Sequence, residues 1–302
     1  MKKLFALLIA ALLWVTAPAQ TFAQDKDALT ASIEQYYKSL PQAKRDYKIR
    51  PRPILIQGAM NIETDALVRS LKKPVAYRYN NYLFVAGTYR NYPIVVSRTE
   101  QGLSNSAAAT IIAIEKFNPI AVINQGTAGG SESAVHVGDI VIGAKSIPSS
   151  AIYTEQSPAG AGVDYTAQEM RGVYAYDRVD QTFKRRTEFF ADKTLLELAK
   201  RVAADSTEEF TAVTGTIASA DWWMSWIDYV NFLHERYGIT ASEMETVSVA
   251  QICHNANIPF IGIRVISDND INDEDYRFDI SDRSQKFALF LAERYILDVL
   301  RK

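Results

Sequence analysis

From residue 53 onward, short apolar runs alternate with longer stretches of helical period. "PILIQGA", "PIAVINQG", "GDIVIGAKSI", "TAVTGTIASA" and "PFIGIRVISD" are apolar runs of strand length, rich in β-branched residues. "YLFVAGTYRNYPIVVSRTE" predicts two strands around a polar turn. Helical period predicts helices in "ETDALVRSLKK", "SNSAAATIIAIEKFN", "KTLLELAKRVAAD", "WMSWIDYVNFLHERYG", "METVSVAQICHNAN" and "SQKFALFLAERYILDVL". Ser104 or Asn105 is the expected cap of the second of these. Ahead of "METVSVAQ", Ser242-x-x-Glu245 and Thr240-x-x-Glu243 both fit a capping box. The alternation predicts a three-layer α/β fold, with a central mixed β-sheet flanked by helices.

Upstream of residue 53 the pattern changes. Lys2 and Lys3 precede an apolar run, Leu4 to Val15, too short to span a bilayer. Small-residue cleavage sites follow at Ala17–Ala19 and Thr21–Ala23. Residues 1–23 therefore read as a secretory signal peptide, with a mature start near Gln20 or Gln24 and a periplasmic or secreted product. Residues 24–52 are polar and charged. They predict a short amphipathic helix over 27–39 and an extended linker at "IRPRP", ahead of one large domain over 53–302.

With 302 residues, 48% hydrophobic and 23% charged, the chain has ordinary globular composition and the length for a large core. A net charge of -2 provides no global field toward nucleic acid or an anionic membrane. The one cysteine, Cys253, excludes an intrachain disulfide and reads as a buried small hydrophobe. His136, His234 and His254 lie far apart in sequence, without metal-ligand spacing, so no metal or cofactor is expected.

Candidate chemistry sits where apolar strands end. "INQGTAGG" follows a strand, in the place where α/β sheets bind ligands. It is neither a phosphate-binding P-loop nor a dinucleotide fingerprint. Glu63 follows "ILIQGAMNI", Glu245 lies in "ASEMETVSVA", and Asp268 follows "IGIRVIS". Each is compatible with a cap or a solvated loop residue; together they are compatible with one crevice. "DNDINDED" lacks the glycine and terminal glutamate of a calcium loop.

Taken in order, "GAMNIETDAL", "GTAGG", "VGDIV", "SADWW", "EMETVSVAQICHNANIPFIGIRVISD" and Phe278 resemble the 5′-methylthioadenosine/S-adenosylhomocysteine nucleosidases of the nucleoside phosphorylase superfamily. The resemblance spans roughly residues 53–300. It implies hydrolysis of the N-glycosidic bond of purine nucleosides, with Glu63 activating water, Asp268 acting as general acid at the purine and Glu245 binding the ribose. It further implies a substrate site formed by Met60, Thr127, Ala128, Gly129, Trp223, Glu243, Met244, Glu245, Arg264, Ser267 and Phe278. In it Met244 packs on the sugar, Ser267 holds Asp268, and Trp223 and Phe278 face the base. The implied partners are a nucleoside and water, and the implied assembly is a homodimer.

Phosphorolysis is the nearest rival chemistry. Phosphorylase relatives carry an arginine in the first loop and another before the glycine turn; here "GAMNIE" and Asn124 stand in those places. Bidentate arginines are how such sites hold phosphate, so the reading favours water. A non-catalytic nucleoside binder on the same fold is the other alternative, and it has no need of a water-activating Glu63. "SAD" with Ala220, the bulky "DWWMSW" and the divergent stretch 150–190 depart from the family pattern and leave the 5′ substituent open.

Overall fold

The structure is a computed structural model that describes residues 25–48 and 50–301. The signal-peptide reading and its cleavage sites lie outside the described residues. The described chain falls into two compact units that part between Leu40 and Pro41. In the first, residues 25–39 form helix α1, with the Ser39 hydroxyl donating to the Tyr36 carbonyl at 2.7 Å.

The second unit opens with an extended segment. Gln42 bridges to Ala76, and the Ala43 and Ala76 amides donate to Ala76 O and Pro41 O. Then follow β1 (Ile54–Gly58), a single 3-10 turn (Asn61–Glu63), α2 (Asp65–Ser70), β2 (Lys72–Tyr79), β3 (Tyr82–Tyr89) and β4 (Tyr92–Arg98). Next come α3 (Leu103–Phe117), β5 (Ala121–Gly130), β6 (Ile140–Pro148), β7 (Ile152–Tyr153), β8 (Glu169–Met170), β9 (Val173–Asp177), β10 (Thr182–Arg186) and β11 (Phe189–Phe190). The chain closes with α4 (Lys193–Asp205), β12 (Ala212–Ser219), α5 (Ile227–Tyr237), β13 (Ile239–Glu243), α6 (Thr246–Ala256), β14 (Phe260–Asp268), α7 (Ser281–Tyr295) and a terminal π-turn over Ile296–Leu300.

The sheet is mixed and flanked by helices, as the alternation predicts. Its order runs β11-β6-β12-β13-β5-β1-β4-β3-β2, with β14 paired to both β5 and β6. Strands β5, β14, β6, β12 and β13 thereby close into a ring, which the sequence pattern did not anticipate. Closure works because one edge of β5 is shared. Residues 121–124 pair with β1, while Gly129 and Gly130 pair with Ser242 and Ala241 of β13. A closed ring leaves no bare strand edge around its centre.

The core is built from the apolar faces that the pattern marks. Leu55, Phe84, Val95, Val122, Phe117, Val247 and Cys253 form one buried cluster. Helices α3 and α6 pack on one another, as do α4 and α7.

Several expectations are corrected here. Lys72 and Lys73 open β2 instead of ending a helix. Thr240 and Ser242 lie in β13, so neither makes a capping box. Helix α3 begins at Leu103 with Gly102 as its cap residue, so Ser104 and Asn105 sit inside its first turn. Helix α5 starts at Ile227, leaving Trp222 to Trp226 outside regular structure.

Candidate active site

The carboxyl ends of β1, β5, β13 and β14 meet at one cleft of ≈ 940 Å³, solvent at its mouth included. Glu63, Glu245 and Asp268 all line it, together with Met60, Thr127, Ala128, Gly129, Trp223, Glu243, Met244 and Ser267.

Glu63 is aimed by the turn after β1. Its Oε2 accepts from the amides of Ala59 (2.9 Å) and Met60 (3.0 Å). Its Oε1 accepts from the Thr127 amide (2.8 Å) and hydroxyl (2.9 Å). Four donors thus fix both oxygens of a side chain that is only 3% exposed. The glycine turn read in "INQGTAGG" has a concrete purpose at Gly126, where a Cβ would lie 2.9 Å from Glu63 Oε1. No other residue allows the carboxylate to lie so close to β5.

Glu243 and Glu245 part company at the end of β13. Glu243 turns inward. Its Oε2 accepts from the amides of Glu245 and Thr246 at 2.9 Å each, capping α6. It also accepts from the Ser219 hydroxyl and pairs with the Arg264 guanidinium. Arg264, 1% exposed, spends its remaining donors on the Asn124 carbonyl (3.2 Å), Asn124 Oδ1 (2.6 Å) and the Ile263 carbonyl (2.9 Å). Arg264 is not part of the cleft wall; it lies buried behind Glu243 and fixes it.

Glu245 faces the cleft and receives one amide hydrogen bond, from Gly102 at 2.8 Å. Arg264 approaches it only to 4.0 Å. Burial first, and then the charge of Glu243, push its carboxyl up to about 8, against the opposing pull of Arg264. Asp221 of "SADWW" accepts from the Leu103 amide at 2.7 Å, so Glu245 and Asp221 together satisfy the amides of the cap residue and the first residue of α3.

Asp268 ends β14 opposite Gly129. Burial raises its carboxyl above the ordinary aspartate range; the Ser267 hydroxyl, donating at 2.6 Å, works the other way, and the charge of Asp270 adds to the rise. Tyr276 stands within electrostatic reach of both ends of the site. Burial, then the charges of Glu63 and Asp268, push its phenol up to about 12.

The aromatic wall differs from expectation. Tyr276 lines the cleft and meets the Trp223 ring edge-on, with centroids 5.8 Å apart. Phe278 is not among the lining residues; its carbonyl accepts from the Ser281 amide at the start of α7. In a loop, two residues further on turns a side chain wherever the backbone turns it, so position in sequence alone could not choose between Tyr276 and Phe278.

Sequence reasoning also missed Gln101, Ser131, Trp222, Met224, Val230, Leu233 and Ser242 as wall residues. Only Trp222 and Met224 carried a signal, in the bulky "DWWMSW". Among the described residues, no group of three or more His, Cys, Asp or Glu side chains could hold a metal ion. The described wall carries five acidic residues and no Lys, Arg or His. An acid whose hold on its proton is strengthened by burial, a second carboxylate fixed by four donors and a third facing the same cleft suit the cleavage of a neutral, hydroxyl-rich ligand.

Comparisons with known proteins show the family. Residues 53–300 match the Phosphorylase superfamily. The 5′-methylthioadenosine/S-adenosylhomocysteine nucleosidase of Shewanella loihica is 32% identical over 225 residues, covering 74% of this chain and 89% of the relative. The enzyme of the same name from Anoxybacillus flavithermus is 32% identical, covering 71% and 84%. Among solved structures, the nucleosidase of that name from Neisseria meningitidis, in complex with methylthio-immucillin-A, superposes with a TM-score of 0.64. It is 26% identical and covers 80% of this chain and 99% of its own. The chain belongs to the 5′-methylthioadenosine/S-adenosylhomocysteine nucleosidase family of the phosphorylase superfamily.

Proposed function

We propose that the chain hydrolyses the N-glycosidic bond of adenine nucleosides such as 5′-methylthioadenosine and S-adenosylhomocysteine, with Asp268, Glu63 and Glu245 in three separate roles. The observation that carries this reading is the meeting of these three carboxylates in one cleft, each in a different environment.

A purine leaves poorly as an anion. Asp268, its carboxyl raised by burial, donates a proton to the imidazole nitrogen of the base, and the base departs neutral. General acid catalysis of this kind contributes roughly 100- to 10,000-fold. As the bond from the anomeric carbon to the purine nitrogen breaks, the sugar gains oxocarbenium character. Glu63 orients a water and takes one of its protons as the new carbon–oxygen bond forms. Glu245 holds the ribose hydroxyls. Trp223 and Tyr276 face the base across the cleft.

Water is the nucleophile favoured by the wall. A phosphate dianion brought among Glu63, Glu245 and Asp268 would meet no cation of the described wall. Asn124, standing where the phosphorylase relatives carry arginine, is already engaged by Arg264.

The test pairs chemistry with binding. Glu63→Gln and Asp268→Asn should each lose most turnover of 5′-methylthioadenosine yet still bind a non-hydrolysable adenine nucleoside in calorimetry, whereas Glu245→Ala should lose the binding. Full turnover in either of the first two variants would remove that residue from the mechanism.

Two further parts of the proposal rest on the sequence. Export to the periplasm or beyond follows from Lys2, Lys3, the apolar run and the small-residue sites; an intact Met1 on active protein from a Gram-negative host would contradict it. A homodimer is what the sequence resemblance implies, and a monomeric mass in sedimentation at micromolar concentration would contradict it.

A further inference from the structure

Resting on the role proposed for Glu63, we infer that the first turn of α7 is the positioning element for that carboxylate, acting through Gln125, Ser281, Ser284 and Gln285. Glu63 sits on one 3-10 turn whose own backbone hydrogen bonds are two, Glu63 N to Met60 O and Thr64 N to Asn61 O, both 3.1 Å. Such a turn is short and poor in internal restraint. Its outward carbonyls are gripped from α7 and β5. Ile62 O accepts from the Ser281 hydroxyl (2.9 Å) and the Gln285 amide (2.8 Å). Glu63 O accepts from the Gln125 amide (2.6 Å), and Gln125 Oε1 in turn accepts from the Ser284 hydroxyl (2.7 Å). Gln285 Oε1 completes the clamp by accepting from the Ala66 and Leu67 amides at 2.9 and 3.2 Å.

Gln125, Ser284 and Gln285 are all 0% exposed. Burying polar side chains is costly unless every group is paired, and an apolar core would hold α7 against the sheet without them. What the polar set adds is direction. Both glutamines act on the two carbonyls that set how the Glu63 side chain leaves the turn. Gly58 is shaped to the same end, because a Cβ there would lie 2.7 Å from Gln125 Nε2 and 2.9 Å from Glu63 O. Helix α7 also follows directly on the loop that carries Tyr276, just beyond Asp268, so one segment registers the water-activating and proton-donating ends of the cleft.

The experiment is a double-mutant cycle on the full-length protein, with Gln285→Leu, Ser284→Ala and Glu63→Gln. Gln285→Leu should lower kcat for 5′-methylthioadenosine by about 100-fold, the cost of roughly 1 Å of misplacement, and leave the Kd for a non-hydrolysable adenine nucleoside within about twofold. In the Glu63→Gln background the same substitution should change the residual turnover little, because its effect runs through Glu63. Ser284→Ala is the milder variant should Gln285→Leu fail to fold, and it should show the same non-additivity with a smaller loss. Equal fold-losses in both backgrounds, or unchanged kcat with lowered thermal stability, would overturn the positioning role. Full turnover in Glu63→Gln alone would instead overturn the role of Glu63 itself, and that result is read from the single variant.

Discussion

Replacing Glu243 by alanine separates the two carboxylates of "EME" more sharply than any other change. The substitution removes the partner of a guanidinium that is 1% exposed, and it uncovers the Glu245 and Thr246 amides at the start of α6. Arg264 would keep its carbonyl acceptors on Asn124 and Ile263 and, of the carboxylates described, only Glu245 at 4.0 Å. Breaking one side of a buried ion pair costs about 3–5 kcal/mol, and loss of a helix cap about 1 kcal/mol. The two are coupled through one carboxylate, so we expect about 4 kcal/mol in all and not their sum. In a domain of this size 1 kcal/mol moves Tm by roughly 2–4 °C, which puts the fall on the order of 10 °C. Glu245→Ala gives up one amide contact at the cleft wall and should lose far less stability, while losing nucleoside affinity. Thermal unfolding followed by circular dichroism, with calorimetric binding on the same preparations, reads both effects. A Glu243→Ala protein that melts with the parent but no longer binds nucleoside would refute the division of labour.

Two predictions follow from the raised carboxyls. Glu245 is pushed from 4.5 to about 8, so the folded chain binds a proton there that the unfolded chain releases. Its contribution to stability is complete below 4.5 and is lost as pH climbs through about 8. Glu245→Gln should flatten that loss in denaturant unfolding across this window; an unchanged pH slope would show that Glu245 titrates normally. Asp268→Asn should lower turnover by roughly 100-fold or more and abolish the decline of kcat toward alkaline pH, since the parent needs Asp268 protonated and the amide has no proton to lose; a parent-like alkaline limb in the variant would place that titration elsewhere.

Much of the architecture is legible as hydrophobic period. The runs that became β1, β5, β6 and β14 are apolar because both faces of those strands are largely covered, as they are in the second half of β12. β13 was hidden by its brevity and by local chemistry. "ITASE" matches the Thr/Ser-x-x-Glu spacing of a capping box, but the ring between β12 and β5 needs a strand there, and tertiary pairing overrides the local match. The cap is real nonetheless. Glu243 makes it with its own side chain from the strand end, accepting from the amides two and three residues further on. The site was legible as far as Glu63, Glu245 and Asp268 sharing one cleft, because each lies at or just beyond the end of a strand at the same edge. Arg264 was misplaced toward the ligand because burial behind Glu243 leaves no trace in the sequence beyond its place in an apolar strand. Trp223 to Trp226 were read into a helix because aromatics at helical spacing resemble a core face; in the structure Trp223 and Met224 line the cleft instead.

The central claim is hydrolysis at this cleft, and its most direct test is the fate of the sugar. Purified protein given 5′-methylthioadenosine in phosphate-free buffer should release adenine and free methylthioribose in equal amounts, at a rate that added phosphate leaves unchanged. Release that requires phosphate and yields a sugar phosphorylated at the anomeric carbon, or binding of the nucleoside with no release of adenine at all, would contradict the account.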